Sequence, residues 1–477
     1  MSDLSDCSMV SLSFFMQGGK IKMVQNLTEG SIRKNLIRFA LPFLAASFLQ
    51  TFYGLADLFI TGQFNGAASI TGVSNGSQVM HMLTVVIVGL SMGPTVLIAR
   101  SVGAKDKKQI ATSIGNAVSL FAILAAVVTV VLLLCVHPII SLLSTPAEAV
   151  DETWRYMVIC FVGIPFITAY NVVASIFRGL GDTTTPMKFV AYAGILNVGL
   201  DILLIGPLHM GAAGAAIATV FSQAVSDVLA IRALLKTDAG SSVTRKDLRF
   251  DKNLMGKIIR IGVPIAMQEG FIQISFLAIT AIANSRGVEV AAAVGIVEKV
   301  ISFLFLVPSA MMSTVSAVTA QNAGAGKNER GREALFFAIF CCVTYGAIIA
   351  ILCQIFPEQI VDLFVQDDPE VVKLGGQYLR SYSIDTMIAG IHFCFSGYFS
   401  AYGKAAYSFF HNIVSVLTVR IPGAYLASVY YPDTLFPMGL AAPMGSTLSS
   451  VICIILYLHG KKYWNPAPEK VKAESQQ

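Results

Sequence analysis

Asn197 and Asp201 lie four residues apart in an apolar stretch, so on a helix they stack on one face. An ionised, unpartnered carboxylate among residues that belong in lipid or in a bundle core costs several kcal/mol. Two chemistries would justify it. Burial favours the neutral acid, so such a carboxyl can bind and release one proton as a switch. Alternatively it can join other oxygens around a small cation: Asp57, Asp201, the Asn197 amide and the Thr219 hydroxyl would supply four. The two remain open from the residues alone.

The stretch that carries these residues runs from Phe177 to Thr219. It opens with Phe-Arg-Gly-Leu-Gly-Asp-Thr-Thr-Thr-Pro, continues as an apolar helix with Asn197 and Asp201, and ends in the small-residue run Gly-Ala-Ala-Gly-Ala-Ala-Ile-Ala-Thr. The whole chain is built to the same end. Of 477 residues 55% are hydrophobic and 13% charged, about half the charge of a soluble domain. Its net charge of +5 is modest, and no basic stripe with interleaved aromatics marks a nucleic-acid surface. Eight cysteines, from Cys7 to Cys453, fall almost all inside apolar segments without Cys-x-x-Cys or Cys/His spacing. They read as small buried hydrophobes, with no metal site and no cofactor implied. Residues 1–22 lack the pattern of a signal peptide, and Met23 is an alternative start.

A spanning helix needs about 20 apolar residues. Twelve segments meet that need: 35–62, 72–99, 112–137, 154–177, 187–206, 211–235, 257–284, 290–319, 333–356, 376–401, 408–430 and 437–459. Basic residues cluster before the first and after the even-numbered segments, eight of them between Arg232 and Arg260. The opposite side holds Arg155, Arg286, Lys373 and Arg380 beside a majority of acids. The positive-inside rule then places both termini in the cytoplasm. The resulting organisation is a cytoplasmic tail over 1–34, an N-lobe over 35–236, a cytoplasmic linker over 237–256, a C-lobe over 257–460 and a second tail over 461–477.

The two lobes are copies. Arg38-Phe-Ala-Leu-Pro42 recurs as Arg260-Ile-Gly-Val-Pro264, Ala99-Arg-Ser-Val-Gly-Ala104 as Ala320-Gln-Asn-Ala-Gly-Ala325, and Phe177-Arg-Gly-Leu-Gly181 as Phe399-Ser-Ala-Tyr-Gly403. The offset stays at 221 or 222. The fold class is therefore an all-α polytopic membrane protein with twelve transmembrane helices in two six-helix lobes, an arrangement that transports by rocking one lobe against the other. The copies differ where chemistry matters: Asp57 corresponds to Ile279, and Asp201 to Gly423. A purely architectural acid would recur in both.

These features, with the segment Tyr53-Gly-Leu-Ala-Asp-Leu-Phe-Ile-Thr-Gly62 and the run Arg-Gly-Leu-Gly-Asp-Thr at 178–183, resemble the multidrug and toxic compound extrusion (MATE) family over roughly residues 26–460. The resemblance implies secondary active export of amphipathic, often cationic compounds across the cell membrane, against protons or sodium. In the bacterial branch that the chain is similar to, it gives the coupling role to Asp57, Asn197 and Asp201, with Thr219 as a fourth member. Another branch carries acids on helices 7 and 10. Glu269 and Asp385 are the counterparts available here, each displaced by about one turn, and they rank second.

Each residue also has a structural reading. Asp201 can fix helices 5 and 6 by hydrogen bonds, and Asp57 can reach the outer interface. Glu298 and Lys299, adjacent near a helix end, read as an ion pair or as snorkelling side chains. Arg420, deep in helix 11, divides between a lobe-organising ion pair and a substrate or anion contact. His81, His392 and His411 lack ligand spacing and read as packing residues. Aromatics and methionines on helices 7, 8 and 10 (Phe276, Phe305 and Phe393 among them) can line an adaptable cavity. The loop 178–183 reads as a tight turn. The main rival is a flippase for lipid-linked sugars, which would line its cavity with several basic residues, whereas Arg420 is nearly alone. No phosphate-binding loop or His-Glu-x-x-His motif supports an enzyme or an ATP-driven pump, and no ATPase subunit is implied. The partners expected are drug-like molecules and the bilayer, with the protein a monomer.

Overall fold

A computed structural model describes residues 26–365, 368–460 and 464. Residues 1–25 of the first tail and all of the second except Trp464 fall outside them, and with them Met23 and Cys7; Asp367 does as well. Among the described residues the chain is helical throughout, without strands. We number the spans α1 Ile32–Phe64, α2 Ala67–Gly103, α3 Lys107–Leu134, α4 Ala147–Val162 with Ile164–Leu180, α5 Thr184–Ile205 and α6 Gly211–Leu235. The second half runs α7 Lys252–Asn284, α8 Val288–Gly324, α9 Asn328–Ile355, α10 Pro369–Tyr382 with Asp385–Ala401, α11 Ala406–Tyr430 and α12 Phe436–His459. Ten are long and apolar enough to cross a membrane, α4 does so as a pair bent by 47°, and α10 completes the twelve. The first part of α10 is amphipathic: it buries Val371, Leu374, Tyr378 and Tyr382 and turns Glu370, Lys373 and Arg380 outward.

Several spans begin about five residues before their apolar runs, α3 at Lys107 and α7 at Lys252. Their first turns are polar, and an aspartate caps each: Asp106 accepts from the Gln109 amide at 2.9 Å, and Asp251 from Asn253 and Leu254 at 2.9 and 3.1 Å. A cap satisfies the orphan donors of a first turn without apolar residues, so a hydropathy window misses it. The segment between the lobes is also ordered. Asp247 accepts from the Thr244 amide at 2.8 Å and from the Thr112 hydroxyl of α3 at 3.0 Å. The Thr244 hydroxyl and amide hold its carboxyl below the usual carboxylate range.

The repeat extends beyond its sequence landmarks. A short helix follows the third span of each half, Val136–Leu142 and Pro357–Asp362. The next span then breaks at Gly163 in one half and at Ser383–Ile384 in the other, about 221 residues on. The turns after these spans match as well. Gly181 and Gly403 both take positive φ, 94° and 72°. Asp182 N bonds to Phe177 O at 2.9 Å, and Lys404 N to Phe399 O at 2.8 Å. Both are Schellman ends in which glycine meets the left-handed position without strain. The loop 178–183 is thus a turn, and Asp182 also caps α5 through the Thr184 amide at 2.8 Å.

Contacts between lobes concentrate at one end, the end where the chain enters and where Arg100, Lys105 and Arg232 lie. One apolar cluster there joins Met92, Ile98 and Phe177 to Ile258, Ile265, Ala320 and Ala401. A second joins Leu36 and Phe39 to Val315, Leu335 and Phe399. Towards the opposite end each lobe packs on itself: Val73, Tyr156, Phe161 and Ile205 form one cluster, and Val294, Val361, Tyr378 and Met438 another. The lobes are closed at the basic end and separately packed at the other. At the closed end α2 and α8 cross with a reciprocity that the repeat dictates. A Cβ on Gly103 would overlap the Gln321 carbonyl, and one on Gly324 the Arg100 carbonyl. Gly103 and Gly324 are repeat equivalents, as are Arg100 and Gln321. The side chain of Gln321 adds a donor to Gly179 O at 3.2 Å and accepts from the Leu27 amide at 3.2 Å.

Leucine at Gly103 or Gly324 is expected to lower stability by about 1–3 kcal/mol through overpacking. Leucine at Gly256, where open space surrounds the Cβ, is expected to leave it unchanged; thermal unfolding in detergent reads both. For the linker, Asp247 stabilises its turn at neutral pH. That contribution is lost as pH falls through its depressed folded value, below about pH 4. Asp247→Ala should speed amide exchange over 242–250 at neutral pH, whereas wild type should show the same loosening only in acid.

Candidate functional site

Three spans of the N-lobe converge on Asp57. The residue lies on α1, 5% exposed, and its own carbonyl accepts from the Thr61 hydroxyl at 2.7 Å. α6 brings Thr219, whose hydroxyl donates to Asp57 Oδ2 at 3.1 Å. The small residues Gly214, Ala215, Ala216 and Ala218 make that approach possible by letting α6 pack closely on its neighbours. α5 brings Asn197 and Asp201 on one face, 1% and 0% exposed, with Asn197 Nδ2 3.5 Å from Thr219 Oγ1. The Asp57 and Asp201 carboxyls face and influence one another across α1 and α5.

Asp57, Asn197, Asp201 and Thr219 therefore form one constellation. Tyr53, one turn before Asp57, extends it through its hydroxyl, which accepts from Gln223 Nε2 at 3.0 Å. Donors are scarce. Among the described residues no hydrogen-bond donor reaches either oxygen of Asp201 or Oδ1 of Asp57. Two facing carboxylates repel one another in so apolar a site, so the arrangement suits a shared proton or a bound cation. Its chemical capacity is the uptake and release of one positive charge.

In the C-lobe the second-rank residues are arranged differently. A cavity of about 190 Å³ is lined by Glu269, Phe276, Phe305, His392, Phe393 and Arg420 of that lobe, and by Thr51, His81 and Val85 of the other. Glu269 presents a buried Oε1 with no partner. Arg420 is 8% exposed and sits at the end of a π-helical turn, Val416–Arg420, that widens α11. Such turns recur at functional sites. Its guanidinium lies 5.0 Å from the Phe276 ring centre and donates to the Tyr382 hydroxyl, while Nε has no acceptor. Asp385 and Glu298 face Arg420 electrostatically, but no carboxylate oxygen among the described residues comes within 4 Å of it.

Two expectations change. Glu298 does not pair with Lys299; it turns inward, accepts from the Thr280 hydroxyl at 3.0 Å and joins the surroundings of Arg420. Adjacent side chains on a helix diverge by about 100°, so Glu298 and Lys299 cannot serve the same face. Of the histidines, His81 and His392 line the cavity while His411 bonds to Ser396 at 2.9 Å. No group of metal-ligating side chains occurs among the described residues. Asp227 on α6 is a further buried acid, which the sequence analysis does not single out. Its position eight residues after Thr219 was the available signal.

A family model described as MatE matches residues 42–203 and again 264–426, the same spacing as the internal repeat. The chain belongs to the MatE family. Among its relatives, the probable multidrug resistance protein YpnP of Bacillus subtilis is 26% identical over 436 residues, covering 91% of this chain and 97% of the relative. A FAD transporter of Shewanella oneidensis is 26% identical over 434 residues, 90% and 95%. In structure the chain is similar to an outward-facing multidrug resistance MATE family transporter, with a TM-score of 0.87, 22% identity and coverage of 94% and 99%. As a MatE member the chain is a multi-pass membrane protein of a family of transporters.

If the carboxyl pair is held together by a shared proton, Asp201→Asn supplies an amide donor to Asp57 in its place. Its unfolding temperature in detergent should equal or exceed that of wild type. A fall of more than about 10 °C would make the pair a structural keystone.

Proposed function

We propose that this MatE transporter exports amphipathic, drug-like molecules from the cell by antiport against protons or sodium. Asp57 and Asp201 bind the driving ion, with Asn197 and Thr219 in support. The observation that carries the reading is the buried carboxyl pair with three oxygens lacking donors. Such a pair must gain a positive charge to be stable in a low-dielectric lobe and must lose it again to turn over. The names of relatives such as YpnP support multidrug export as the activity.

Alternating access follows from the packing. In the present state the lobes are joined at the basic end, which the positive-inside rule makes cytoplasmic along with both termini, and the opposite side is the one free to open. Loading Asp57 and Asp201 would neutralise the N-lobe and permit the lobes to repack with the other end joined. The substrate would occupy the cavity between Glu269, Phe276, Phe393 and Arg420, where aromatic walls accept varied shapes. The protein would act as a monomer in the plasma membrane.

Arg420 supports a second reading. A buried guanidinium with a free Nε and no carboxylate within 4 Å suits an organic anion, and one relative is a FAD transporter. A lipid-linked sugar flippase is less well supported, since among the described residues Arg420 is the only arginine or lysine on the cavity wall.

Purified protein reconstituted in liposomes tests this. Ethidium efflux under an imposed proton gradient, and separately under a sodium gradient, should respond to one of the two, and Asp57→Asn should reduce it at least tenfold. Efflux that survives both Asp57→Asn and Asp201→Asn would move the coupling site to Glu269 and Asp385. Efflux of a dinucleotide but not of ethidium would favour the anion reading.

A further inference from the structure

The coupling pair lies close to the ends of α1 and α5 that face away from the basic end, Asp57 within about two turns and Asp201 within about one, and the N-lobe contains one more acid whose burial nothing so far explains. Asp227 is 3% exposed, and neither of its oxygens has a hydrogen-bond partner. An orphaned acid inside a membrane bundle demands a role. Its position supplies one. Thr219, Gln223 and Asp227 follow one another at four-residue spacing, so they form a polar file down one face of α6. The file starts at Asp57, to which Thr219 donates, and passes the Tyr53 hydroxyl, to which Gln223 donates. It reaches Asp227 about 12 Å further along the helix axis, one and a half turns before the exposed Arg232 at the basic end.

We propose that Asp227 is a second proton site of the N-lobe, which takes the proton from the Asp57/Asp201 pair along the Thr219–Gln223–Asp227 face of α6 and releases it at the basic end.

This rests on the antiport reading and adds a proton route to it. Because Tyr53 already accepts from Gln223, its own hydroxyl proton is free to be passed on, and a proton arriving from the pair replaces it. The acid of the pair becomes a carboxylate, and the Asp227 carboxylate becomes an acid. When the lobe opens towards the basic end, Asp227 returns the proton to water. The groups that face Asp227 suit transfer. From α4, Tyr170 interacts electrostatically with Asp227, with Tyr53 and with Arg178. The Tyr170 hydroxyl is bonded to Pro186 O at 3.1 Å, and Arg178 is turned away to the Ser91 hydroxyl at 3.2 Å. α5 contributes the Phe189 carbonyl, which the neighbouring Ser226 occupies at 3.2 Å. No described residue pairs with the carboxyl of Asp227, so it is left free to titrate. Its burial in the present state closes the route at the basic end, as an antiporter requires to avoid a proton leak.

The test uses full-length wild type, Asp227→Asn and Asp227→Glu in liposomes with a trapped pH dye, together with ethidium binding in detergent. Asp227→Asn is expected to bind ethidium within twofold of wild type, to lose proton-driven efflux at least tenfold and to release no proton on substrate addition; Asp227→Glu should recover efflux to within threefold. Wild-type efflux and proton release in Asp227→Asn would overturn the proposal, as would loss of binding along with efflux. Should Asp227→Asn fail to fold, Asp227→Glu decides: a displaced pH profile of efflux supports the route and an unchanged one overturns it. Wild type driven by sodium alone would leave antiport standing and remove the proton route, whereas wild type driven by neither gradient would remove both.

Discussion

The structure depends on the electrostatic cost of carboxyl groups in a lipid-spanning bundle. Asp57, Asp201 and Asp227 in one lobe, and Asp385 beside Arg420 in the other, are buried almost completely, and their oxygens have few donors or none. In water each would be solvated for nothing; here each must be neutral, shared or compensated. A transporter makes use of that instability. A site that is comfortable only when loaded gives the bound ion leverage over the packing around it, and the packing in turn decides to which side the ion can leave.

The internal repeat sets the frame in which this leverage works. Matching breaks in α4 and α10, matching short helices after α3 and α9, and reciprocal glycine contacts between α2 and α8 give two lobes of one design that meet about a pseudo-twofold relation. Symmetric lobes can join at either end with similar energy, which is the bistability that alternating access requires. The polar residues break the symmetry. The N-lobe contains paired acids and a polar file on α6, while the C-lobe contains a guanidinium, aromatic rings and the larger share of the cavity wall. Paired acids and the larger share of the cavity wall thereby fall on different copies of the same unit.

Much of the fold was legible because membrane insertion imposes simple rules. Long apolar runs read as spans, and recurrent Pro42/Pro264, Gly103/Gly324 and Gly181/Gly403 reveal the repeat without coordinates. Hydropathy alone does not reach every boundary. The starts of α3 and α7 are polar turns held by aspartate caps, and the first part of α10 is amphipathic because its outer face is wet. Asn197 and Asp201 could be placed on one face from spacing alone. Glu298 reads as a partner of adjacent Lys299, a local pairing that helix geometry does not produce, and Asp227 carries no motif that singles it out.

The sequence by itself determined the twelve-span, two-lobe architecture, its repeat, and the fact that Asp57 and Asp201 have no acidic counterpart in the second copy, since hydropathy, charge bias and offset are properties of the chain read in order. Only the tertiary structure decided that Asp57 of α1 meets Asp201 of α5 and Thr219 of α6, that Glu298 turns to Arg420, and that the lobes are joined at the basic end. The physical reason is that a helix fixes which residues share a face, but which faces meet depends on close packing between helices far apart in sequence, and on where an unpaired charge can find company.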